Sequence, residues 1–244
     1  MNIALIGYGR MGKEIERLCA QNNNVSIVKI FTEENNPRSA GLTEESLRGV
    51  DVCLDFSTPE SVVGNIKAAA SCKKNIVVGT TGWLNELPDV RRMIERHRTG
   101  LLYSSNFSLG MNLFYKIVAS AAQLIDRYDV YDSAIQESHH RGKADSPSGT
   151  AMSIAEILMA KLRGKDEVIT TLSNGAVKPN QLQIASTRAG SIAGTHRVIF
   201  DSSSDSIELI HAAKDRSGFA LGAVTAAEWL NGKSGIFTMN DVIG

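Results

Sequence analysis

The chain has 244 residues, of which 43% are hydrophobic, enough for a sizeable core in one or two domains. Lys plus Arg and Asp plus Glu number 26 each, so the zero formal charge argues against recruitment by nucleic acid or an anionic membrane. No apolar run approaches the roughly 18 residues of a membrane span. A strand pattern begins within two residues of Met1, which leaves no room for a signal peptide. We therefore predict a cytoplasmic protein with a small-molecule partner.

The three cysteines, Cys19, Cys53 and Cys72, are an odd number without the spacing of metal ligands. Each falls within an apolar strand or helix pattern, which is typical of reduced thiols packed in a core. The sequence therefore predicts structural thiols and no metal site.

Residues 1–107 alternate short apolar runs with helical patterns. The predicted strands are Asn2–Ile6, Val25–Phe31, Val50–Phe56, Asn75–Val78 and Leu101–Tyr103. The predicted helices are Met11–Gln21, Pro59–Cys72 and Leu84–Arg98. Strands that alternate with helices predict an α/β fold with a doubly wound, parallel sheet of the Rossmann type.

The segment "GYGRMG" fits the pattern G-x-G-x-x-G and lies between the first predicted strand and the first helix. Gly7 would make the tight turn, Gly9 would let the backbone approach a pyrophosphate, and Gly12 would allow close helix packing. Arg10 would add a positive charge to the amides at the helix start. The other candidate cofactor contacts in this loop are Tyr8 and Met11. A plain glycine turn is the alternative.

An acid near the end of the second strand would bind the adenosine ribose, and Glu33 is the candidate. Its alternative is a solvated carboxylate beside Glu34. A 2'-phosphate near Glu34 would meet a like charge with no arginine nearby, unless Lys29 or Arg38 swings across. The sequence thus predicts NADH as the preferred cofactor, with NADPH as a second possibility.

Small polar residues follow two later strands, where ligands bind in open parallel sheets. These further candidate cofactor contacts are Gly79, Thr80, Thr81, Ser104, Ser105, Asn106 and Phe107. The segment "DFSTP", Asp55–Pro59, occupies an equivalent place, but a helix cap before Pro59 is the stronger interpretation there.

From Leu109 the pattern changes and indicates a second domain. We predict a long helix to about Tyr128, a strand toward Gln136 and, after a polar loop, a helix over Ser148–Leu162. The segments "QLQIASTRAGSI", "THRVIF" and "SIELIHAA" alternate in polarity and predict an antiparallel sheet. The tail predicts an Ala-rich helix, a short strand and a helical turn.

The polar loop "ESHHRGKADSPSGTA" contains two adjacent histidines and two cationic side chains. Taken alone, a buried histidine pair usually satisfies local hydrogen bonds. However, the chain resembles the dihydrodipicolinate reductase family through this loop and through "GYGRMG", "DFSTPES", "VVGTTGW", "SSNFSLGMN", "RAGSIAGTHRVIF" and "FALGAVTAAEWL". These motifs follow the family order over nearly the whole chain, and the histidine loop is the most specific of them.

The resemblance implies a Rossmann domain over residues 1–107, completed by 215–244. It implies a substrate-binding and tetramerisation domain over 108–214, with a mixed or antiparallel sheet. The domains would close about hinges near Asn106 and Lys214, and four copies would form a homotetramer. The glycine loop is one residue shorter than the common family form, which leaves the phosphate contacts of Tyr8 and Arg10 open.

The resemblance also implies NAD(P)H-dependent reduction of 4-hydroxy-tetrahydrodipicolinate in lysine and diaminopimelate biosynthesis. It assigns His139 as the acid/base residue and Lys143 as the proton donor. The implied substrate contacts are His140, Ser148, Gly149 and Thr150. Cations beside a helix start suit a small dicarboxylate ring, and Arg188 and His196 remain open between site and structural roles.

Two other functions remain as alternatives. One is a Rossmann dehydrogenase that works through a cysteine thioester, although no cysteine lies in a polar context. The other is a non-catalytic, nucleotide-binding redox sensor, although the histidine loop is intact.

Overall fold

The structure, a computed structural model, describes residues 1–171 and 175–244. It divides into two compact units, the first formed by Met1–Asn112 with Arg216–Gly244 and the second by Leu113–Asp215. Within the described residues no helix is long and apolar enough to cross a membrane. The cytoplasmic location stays a prediction.

The elements alternate in the first unit and then change character in the second. The strands are β1 (Asn2–Ile6), β2 (Ser26–Phe31), β3 (Val52–Asp55), β4 (Asn75–Val78), β5 (Gly100–Tyr103), β6 (Asp132–His139), β7 (Glu167–Ile169), β8 (Gln181–Arg188), β9 (Thr195–Asp201), β10 (Ser206–Ala212) and β11 (Gly235–Phe237). The helices are α1 (Arg10–Cys19), α2 (Pro59–Ser71), α3 (Leu87–His97), α4 (Leu109–Ile125), α5 (Gly149–Lys161), α6 (Ser217–Leu230) and α7 (Met239–Ile243).

The first unit contains a six-stranded sheet in the order β11-β5-β4-β3-β1-β2, with every pair parallel. Successive residues of β1 face opposite sides, so Ile3 and Leu5 join one buried cluster while Ala4 and Ile6 join the other. The first cluster includes residues of α1 and α6, and the second includes residues of α2 and α3. The predicted Rossmann-like fold with a parallel sheet is confirmed.

The strand order determines where a ligand can bind. The chain leaves β1 toward β2 on one side and continues to β3 on the other, so the topological switch lies between β1 and β3. Ligands of open parallel sheets bind in the crevice outside the carboxyl ends of the strands at that switch. The loops after β1 and β3 therefore define the first place to look for a site.

The second unit contains a five-stranded sheet in the order β10-β9-β6-β8-β7, and this sheet is mixed. β8 runs parallel to both β6 and β7, whereas β9 runs antiparallel to β6 and β10. The expected mixed or antiparallel sheet is thus confirmed as mixed, and the antiparallel pairing suggested by the alternating segments holds for β9 and β10 but not for β8. The crossover through α5 returns the chain to the same end of the sheet, which makes the following strands parallel. The short strand β7 was missing from the sequence prediction.

Strand β6 extends further than its pattern predicted. It continues through Glu137 and Ser138 to His139, so the first three residues of the predicted polar loop are strand. Alternate residues of β6 are buried, and Glu137 and His139 continue the buried face begun by Ser133 and Ile135. Helix α5 packs against β6 and β8.

Candidate functional site

A cavity of about 820 Å³ opens at the switch between β1 and β3 in the first unit. Its walls include the glycine loop, the segment after β2 and the start of α2, among them Gly7, Gly9, Glu33, Arg38, Ser57 and Asn65. The volume lies within the range of about 300–1,000 Å³ that is typical of ligand sites. We refer to it as the switch-point cavity.

The glycine loop has the geometry that its sequence predicted. Gly7 has a φ of +90°, and a Cβ there would lie 2.3 Å from the carbonyl oxygen of Phe56. At Gly12 a Cβ would lie 2.4 Å from the carbonyl oxygen of Gly7, so α1 approaches the turn as closely as a glycine permits. A Cβ at Gly9 would meet no protein atom within 4 Å. Because Gly9 also lines the cavity and is the N-cap of α1, its backbone is open to an anionic ligand.

A smaller cavity of about 310 Å³ adjoins the same loop, and Gly9 and Ser57 line both spaces. Its other walls include Arg10, Met11, Gly79, Thr80 and Thr81. The sequence-predicted residues of the glycine loop and of "GTTG" therefore come together. An elongated ligand that follows the loop would reach both cavities.

The part of the switch-point cavity where Glu33 lies, which we refer to as its ribose end because Glu33 was the predicted ribose contact, differs from the sequence expectation. Glu33 lines the cavity as predicted, but Arg38 lines it as well. The argument that no arginine is nearby is therefore wrong. Arg38 and Ser39 both have left-handed backbone, with φ of 51° and 66°, and the turn Pro37–Ser39 carries Arg38 back to the cavity.

Other predicted cofactor residues make contacts of their own. The Tyr8 hydroxyl donates to the Glu16 carboxylate, so the ring turns back along α1. The Ser104 hydroxyl donates to the Asn106 carbonyl oxygen at 2.8 Å, while Ser105 is exposed. Phe107 is buried, with its ring edge-on to Phe56 at 5.7 Å. Their roles toward a cofactor stay predictions.

In the second unit, side chains from three strands and the start of α5 meet around a buried carboxylate. Glu137 Oε1 accepts hydrogen bonds from Ser148 N at 2.9 Å, Ser186 Oγ at 2.8 Å and Arg188 Nη2 at 2.8 Å. Its Oε2 lies 3.2 Å from His139 Nδ1 and 3.7 Å from His196 Nε2. We call these residues, namely Glu137, His139, Ser148, Ser186, Arg188 and His196, the Glu137 cluster.

The sheet register assembles this cluster. Glu137 on β6 pairs with Ser186 on β8 and with His196 on β9, while His139 pairs with Arg188. The His139 and His196 rings meet edge to face, with centroids 5.1 Å apart. A Cβ at Gly194 would lie 3.1 Å from His139 Nε2, so the glycine leaves room for the imidazole.

The cluster sets the charge of its members. Burial alone would raise the pKa of the Glu137 carboxyl, but the hydrogen bonds from Ser148, Arg188 and Ser186 outweigh it and hold the pKa at about 2. Burial lowers the pKa of His139, and Lys143 and Arg188 lower it further against the opposing effect of Glu137. Burial and the nearby His139 lower the pKa of His196 to about 4. Near neutral pH the cluster thus contains a carboxylate and neutral imidazoles.

The remaining loop residues surround the start of α5. Lys143 Nζ pairs with Asp145 at 2.7 Å and is partly exposed, and this contact lowers the pKa of Asp145. Ser148 is the N-cap of α5, and its buried hydroxyl accepts from Ala151 N at 3.1 Å. Gly149 and His140 are exposed and Thr150 is half-buried, so these three lie where a ligand has access.

Sequence reasoning missed Glu137 and Ser186 and left Arg188 and His196 open. The spacing of Glu137 could have indicated its role. Residues two apart on a strand share a face, and Glu137 lies two residues before His139, which was already a candidate. Ser186 carried no such signal, because its contact with Glu137 depends on the pairing of two strands 49 residues apart. Only the register of β6 against β8 reveals it.

Ligand atoms of Glu137, His139 and His196 lie within 4.8 Å of one another, so these described residues could hold a metal ion. The Arg188 guanidinium, however, already neutralises the carboxylate at 2.8 Å, and a dication would be repelled by it at close range. This balance disfavours a metal ion on these three residues. The absence of a metal stays a prediction.

The parallel sheet, the glycine loop and the cavity at the switch point are the features of dinucleotide-dependent oxidoreductases with a Rossmann-like fold. Residues 1–107 match the family model "Dihydrodipicolinate reductase, N-terminus", and residues 110–243 match "Dihydrodipicolinate reductase, C-terminus". The chain therefore belongs to the dihydrodipicolinate reductase family.

Individual relatives agree with this assignment. The 4-hydroxy-tetrahydrodipicolinate reductase of Christiangramia forsetii is 39% identical over 100% of this chain and 98% of its own length. The reductase of the same name from Aquifex aeolicus is 36% identical over 97% of this chain and 96% of its own length. A dipicolinate-bound dihydrodipicolinate reductase from Paenisporosarcina sp. TG-14 has the same fold, with a TM-score of 0.79, 24% identity and 98% of each chain covered.

Proposed function

We propose that the protein reduces 4-hydroxy-tetrahydrodipicolinate to tetrahydrodipicolinate with a reduced nicotinamide cofactor, in lysine and diaminopimelate biosynthesis. The proposal rests on family membership over both halves of the chain. The observation that carries it is the ionised, buried Glu137 carboxylate 3.2 Å from His139 Nδ1. Such an arrangement orients an imidazole for proton transfer.

The first unit has the features that a dinucleotide requires. The backbone at Gly9 is open, the start of α1 favours an anion, and Glu33 can accept hydrogen bonds from ribose hydroxyls. When bound, the nicotinamide would supply the hydride to the ring. The substrate takes up that hydride and one proton, and it loses water.

His139 and Lys143 are the groups that we assign to proton transfer. His139 is buried on one side by the Glu137 cluster, and its lowered pKa keeps it neutral near pH 7. Lys143 is a partly exposed ammonium close enough to affect the charge state of His139. Lys143 would donate the proton, while His139 would act as the acid/base residue at the ring.

The substrate is a small ring with two carboxylates, and the start of α5 offers groups that suit it. His140 and the backbone of Gly149 and Thr150 are accessible and lie at or near a helix N-terminus. Ser148 is the fourth assigned contact, although its hydroxyl already caps α5. We expect it to act mainly by holding the turn in place.

For the cofactor we propose that NADH and NADPH are both accepted. Glu33 would accept from the ribose hydroxyls of NADH, and Arg38 would pair with the 2'-phosphate of NADPH. The expected preference for NADH rested partly on the lack of a nearby arginine, and the position of Arg38 removes that support. Comparing kcat/KM for the two cofactors tests the proposal, and an advantage above about 100-fold for either one contradicts dual use.

We assign cofactor binding to residues 1–107 with 215–244, and substrate binding to 108–214. Hydride transfer requires cofactor and substrate to meet, so the two parts would close about hinges near Asn106 and Lys214. Crystal structures with and without both ligands test this closure. The same orientation of the two parts in both structures would refute it.

Homotetramer formation is also proposed, through the second unit. Besides the buried face that carries Glu137, its sheet has a second face, on which Gln136 and Ile210 are exposed and Ile199 is half-buried. Apolar residues on a sheet face of this kind favour packing against another copy. Light scattering should give four times the 26.3 kDa of one chain, and a monomer at micromolar concentration would contradict it.

The thioester alternative finds no support in the cysteines. Burial raises the pKa of Cys53 to about 12, and it also raises the pKa values of Cys19 and Cys72. A thiol nucleophile needs the opposite shift.

The activity is tested with substrate generated in place by dihydrodipicolinate synthase and its two substrates. The protein should then oxidise NADH or NADPH, followed as loss of absorbance at the nicotinamide band. A reaction without the synthase is the control. Protein that binds the cofactor but shows no substrate-dependent oxidation would overturn the proposal.

A further inference from the structure

Asn65 lies on α2 with 1% of its surface exposed, at the wall of the switch-point cavity. Its Nδ2 donates to Asp55 Oδ2 at 2.8 Å and to Ser57 Oγ at 3.3 Å. Its Oδ1 accepts from Ser39 Oγ at 2.7 Å and from Asn36 Nδ2 at 3.1 Å. All four hydrogen-bonding positions of the carboxamide are therefore used.

The partners of Asn65 fix the direction of its amide. Asp55 is fully buried at the end of β3, and its other oxygen accepts from Thr80 Oγ1 at 2.6 Å and Ser57 Oγ at 2.7 Å. A carboxylate can only accept, so the Asn65 NH2 group must face it and the carbonyl oxygen must face Ser39 and Asn36. Thr80 belongs to the smaller cavity, so this network joins the walls of both cavities.

The turn that contains Arg38 and Ser39 depends on the hydrogen bonds to the Asn65 carbonyl oxygen. Arg38 and Ser39 are consecutive non-glycine residues in the left-handed region, a conformation that persists only where surrounding contacts hold it. The bonds from Ser39 and Asn36 to Asn65 are such contacts, and Asn36 Oδ1 also accepts from Gly41 N at 2.9 Å. Helix α2 comes close here, since a Cβ at Gly64 would lie 2.6 Å from Ser39 Oγ.

We infer that Asn65 is a positioning residue that holds Arg38 at the ribose end of the cavity and thereby sets the discrimination between NADPH and NADH. The inference rests on the proposed function, because it deepens the cofactor assignment. Although Asn65 lines the cavity, its carboxamide is fully used by protein partners, so we assign its effect to the turn that carries Arg38. Its loss should therefore weaken the cofactor with the 2'-phosphate more than the one without it.

The test measures dissociation constants and kcat/KM for both cofactors in Asn65→Ala and Ser39→Ala. Ser39→Ala removes a single bond to Asn65 and leaves the Asp55 side intact, so it remains informative if Asn65→Ala folds poorly. We expect the NADPH/NADH ratio of kcat/KM to fall about fivefold to tenfold, the size of one ordinary hydrogen bond, because Arg38 would lose part of its alignment and not its charge. A structural defect alone would weaken both cofactors equally and leave the ratio unchanged.

The same substitutions in an Arg38→Ala background separate the inference from simpler explanations. There the ratio should no longer respond to Asn65→Ala, because the residue through which Asn65 acts is gone. Asn75→Ala is the matched control, since Asn75 also bonds backbone groups within the first unit, at Leu230 and Lys233, outside the residues that line either cavity. It should leave the ratio at the wild-type value.

The outcomes distinguish this inference from the proposed function. Wild-type protein that binds neither cofactor would overturn the proposed function itself. Wild-type protein that binds both, with the ratio unchanged in Asn65→Ala and Ser39→Ala, would overturn only the inference. A ratio that still falls in the Arg38→Ala background would show that Asn65 acts by a route other than Arg38.

Discussion

The glycine loop of the switch-point cavity is one run of consecutive backbone, whereas the Glu137 cluster is built from side chains on three strands and a helix start. The glycine loop forms a single turn between β1 and α1. A Cβ built at Gly9 meets no atom of the described residues within 4 Å, so the backbone there is open. In the cluster, Glu137 joins Ser186 and His196, which lie 49 and 59 residues further along the chain. One arrangement therefore depends on neighbouring residues and the other on strand pairing between distant segments.

The difference follows from what each site must do. Binding a pyrophosphate requires several N–H donors and a helix dipole, which one short segment can supply. Moving a proton requires an imidazole whose charge and direction are fixed, and this takes several groups around it. In the proposed function the buried, ionised Glu137, whose Oε2 lies 3.2 Å from His139 Nδ1, has this role, and Arg188 compensates its charge at 2.8 Å.

The largest effect is expected from removing the groups that we assign to proton transfer. His139→Gln and Lys143→Ala should each lower kcat by about 100-fold or more, because a positioned acid or base contributes about 10² to 10⁴. The dissociation constant for NADH should stay near wild type, since the cofactor residues belong to the first unit. Steady-state kinetics and a cofactor titration measure the two effects.

His97→Gln on α3 is the matched control, an imidazole removed outside the cluster, and should leave kcat unchanged. Near-normal kcat in both His139→Gln and Lys143→Ala, in folded protein, would return the histidine pair to a structural role.

The next test concerns acid stability of the cluster. The pKa of His196 falls from 6.5 to about 4 on folding, so below pH 6.5 the unfolded chain binds more protons. The contribution of the buried, neutral His196 to the free energy of unfolding is therefore fully present above pH 6.5. It is lost as the pH drops toward 4, by up to about 3 kcal/mol. The pKa of Glu137 falls from 4.5 to about 2, so its contribution is present above pH 4.5 and is lost toward pH 2. Urea unfolding at a series of pH values measures both.

His196→Asn should flatten the loss between pH 6.5 and 4, and Glu137→Gln should flatten the loss between pH 4.5 and 2. Equal pH dependence in wild type and His196→Asn would contradict a buried, neutral His196.

A smaller effect is expected in the first unit from Gly9→Ala. The added Cβ meets no protein atom within 4 Å and φ is −82°, so the fold should be unchanged. A bound pyrophosphate would meet that methyl group, and we expect the dissociation constants of both cofactors to rise about tenfold or more. Calorimetry measures the affinities, and thermal unfolding without ligand checks the fold.

Gly164→Ala is the control, because a Cβ there also meets no atom of the described residues within 4 Å and Gly164 lies in the second unit. Unchanged affinity in Gly9→Ala would remove the glycine loop from the cofactor site.

The smallest expected effect is at the start of α5. Thr150→Val removes a hydroxyl at a half-buried position and should raise the KM of the substrate several-fold, with kcat within about twofold, because it removes ground-state binding. Thr225→Val, on α6 of the first unit, is the control and should change neither constant. A fall in kcat without a change in KM would move Thr150 from binding to the chemical step.

Much of the first unit could be predicted from sequence, because its signals are local. β1 and β4 have their predicted bounds, and Gly7 and Gly12 occupy the tight positions that the motif requires. The position of Arg38 could not be predicted, since two left-handed residues and the bonds to Asn65 turn it toward the cavity. The sequence analysis found no arginine beside Glu34 and left open whether Arg38 swings across.

The parallel sheet, the glycine loop and the histidine loop could be predicted from the sequence. The hydrophobic periodicity, the turn residues and the helix starts that indicate them all depend on residues a few positions apart. The parallel pairing of β8 with β6 is visible only in the tertiary structure. This pairing lets Ser186 and Arg188 donate hydrogen bonds to Glu137. Strand pairing depends on register between distant segments, and a one-residue slip would place Glu137 on the opposite face. The cluster around His139 therefore exists only once the sheet has formed.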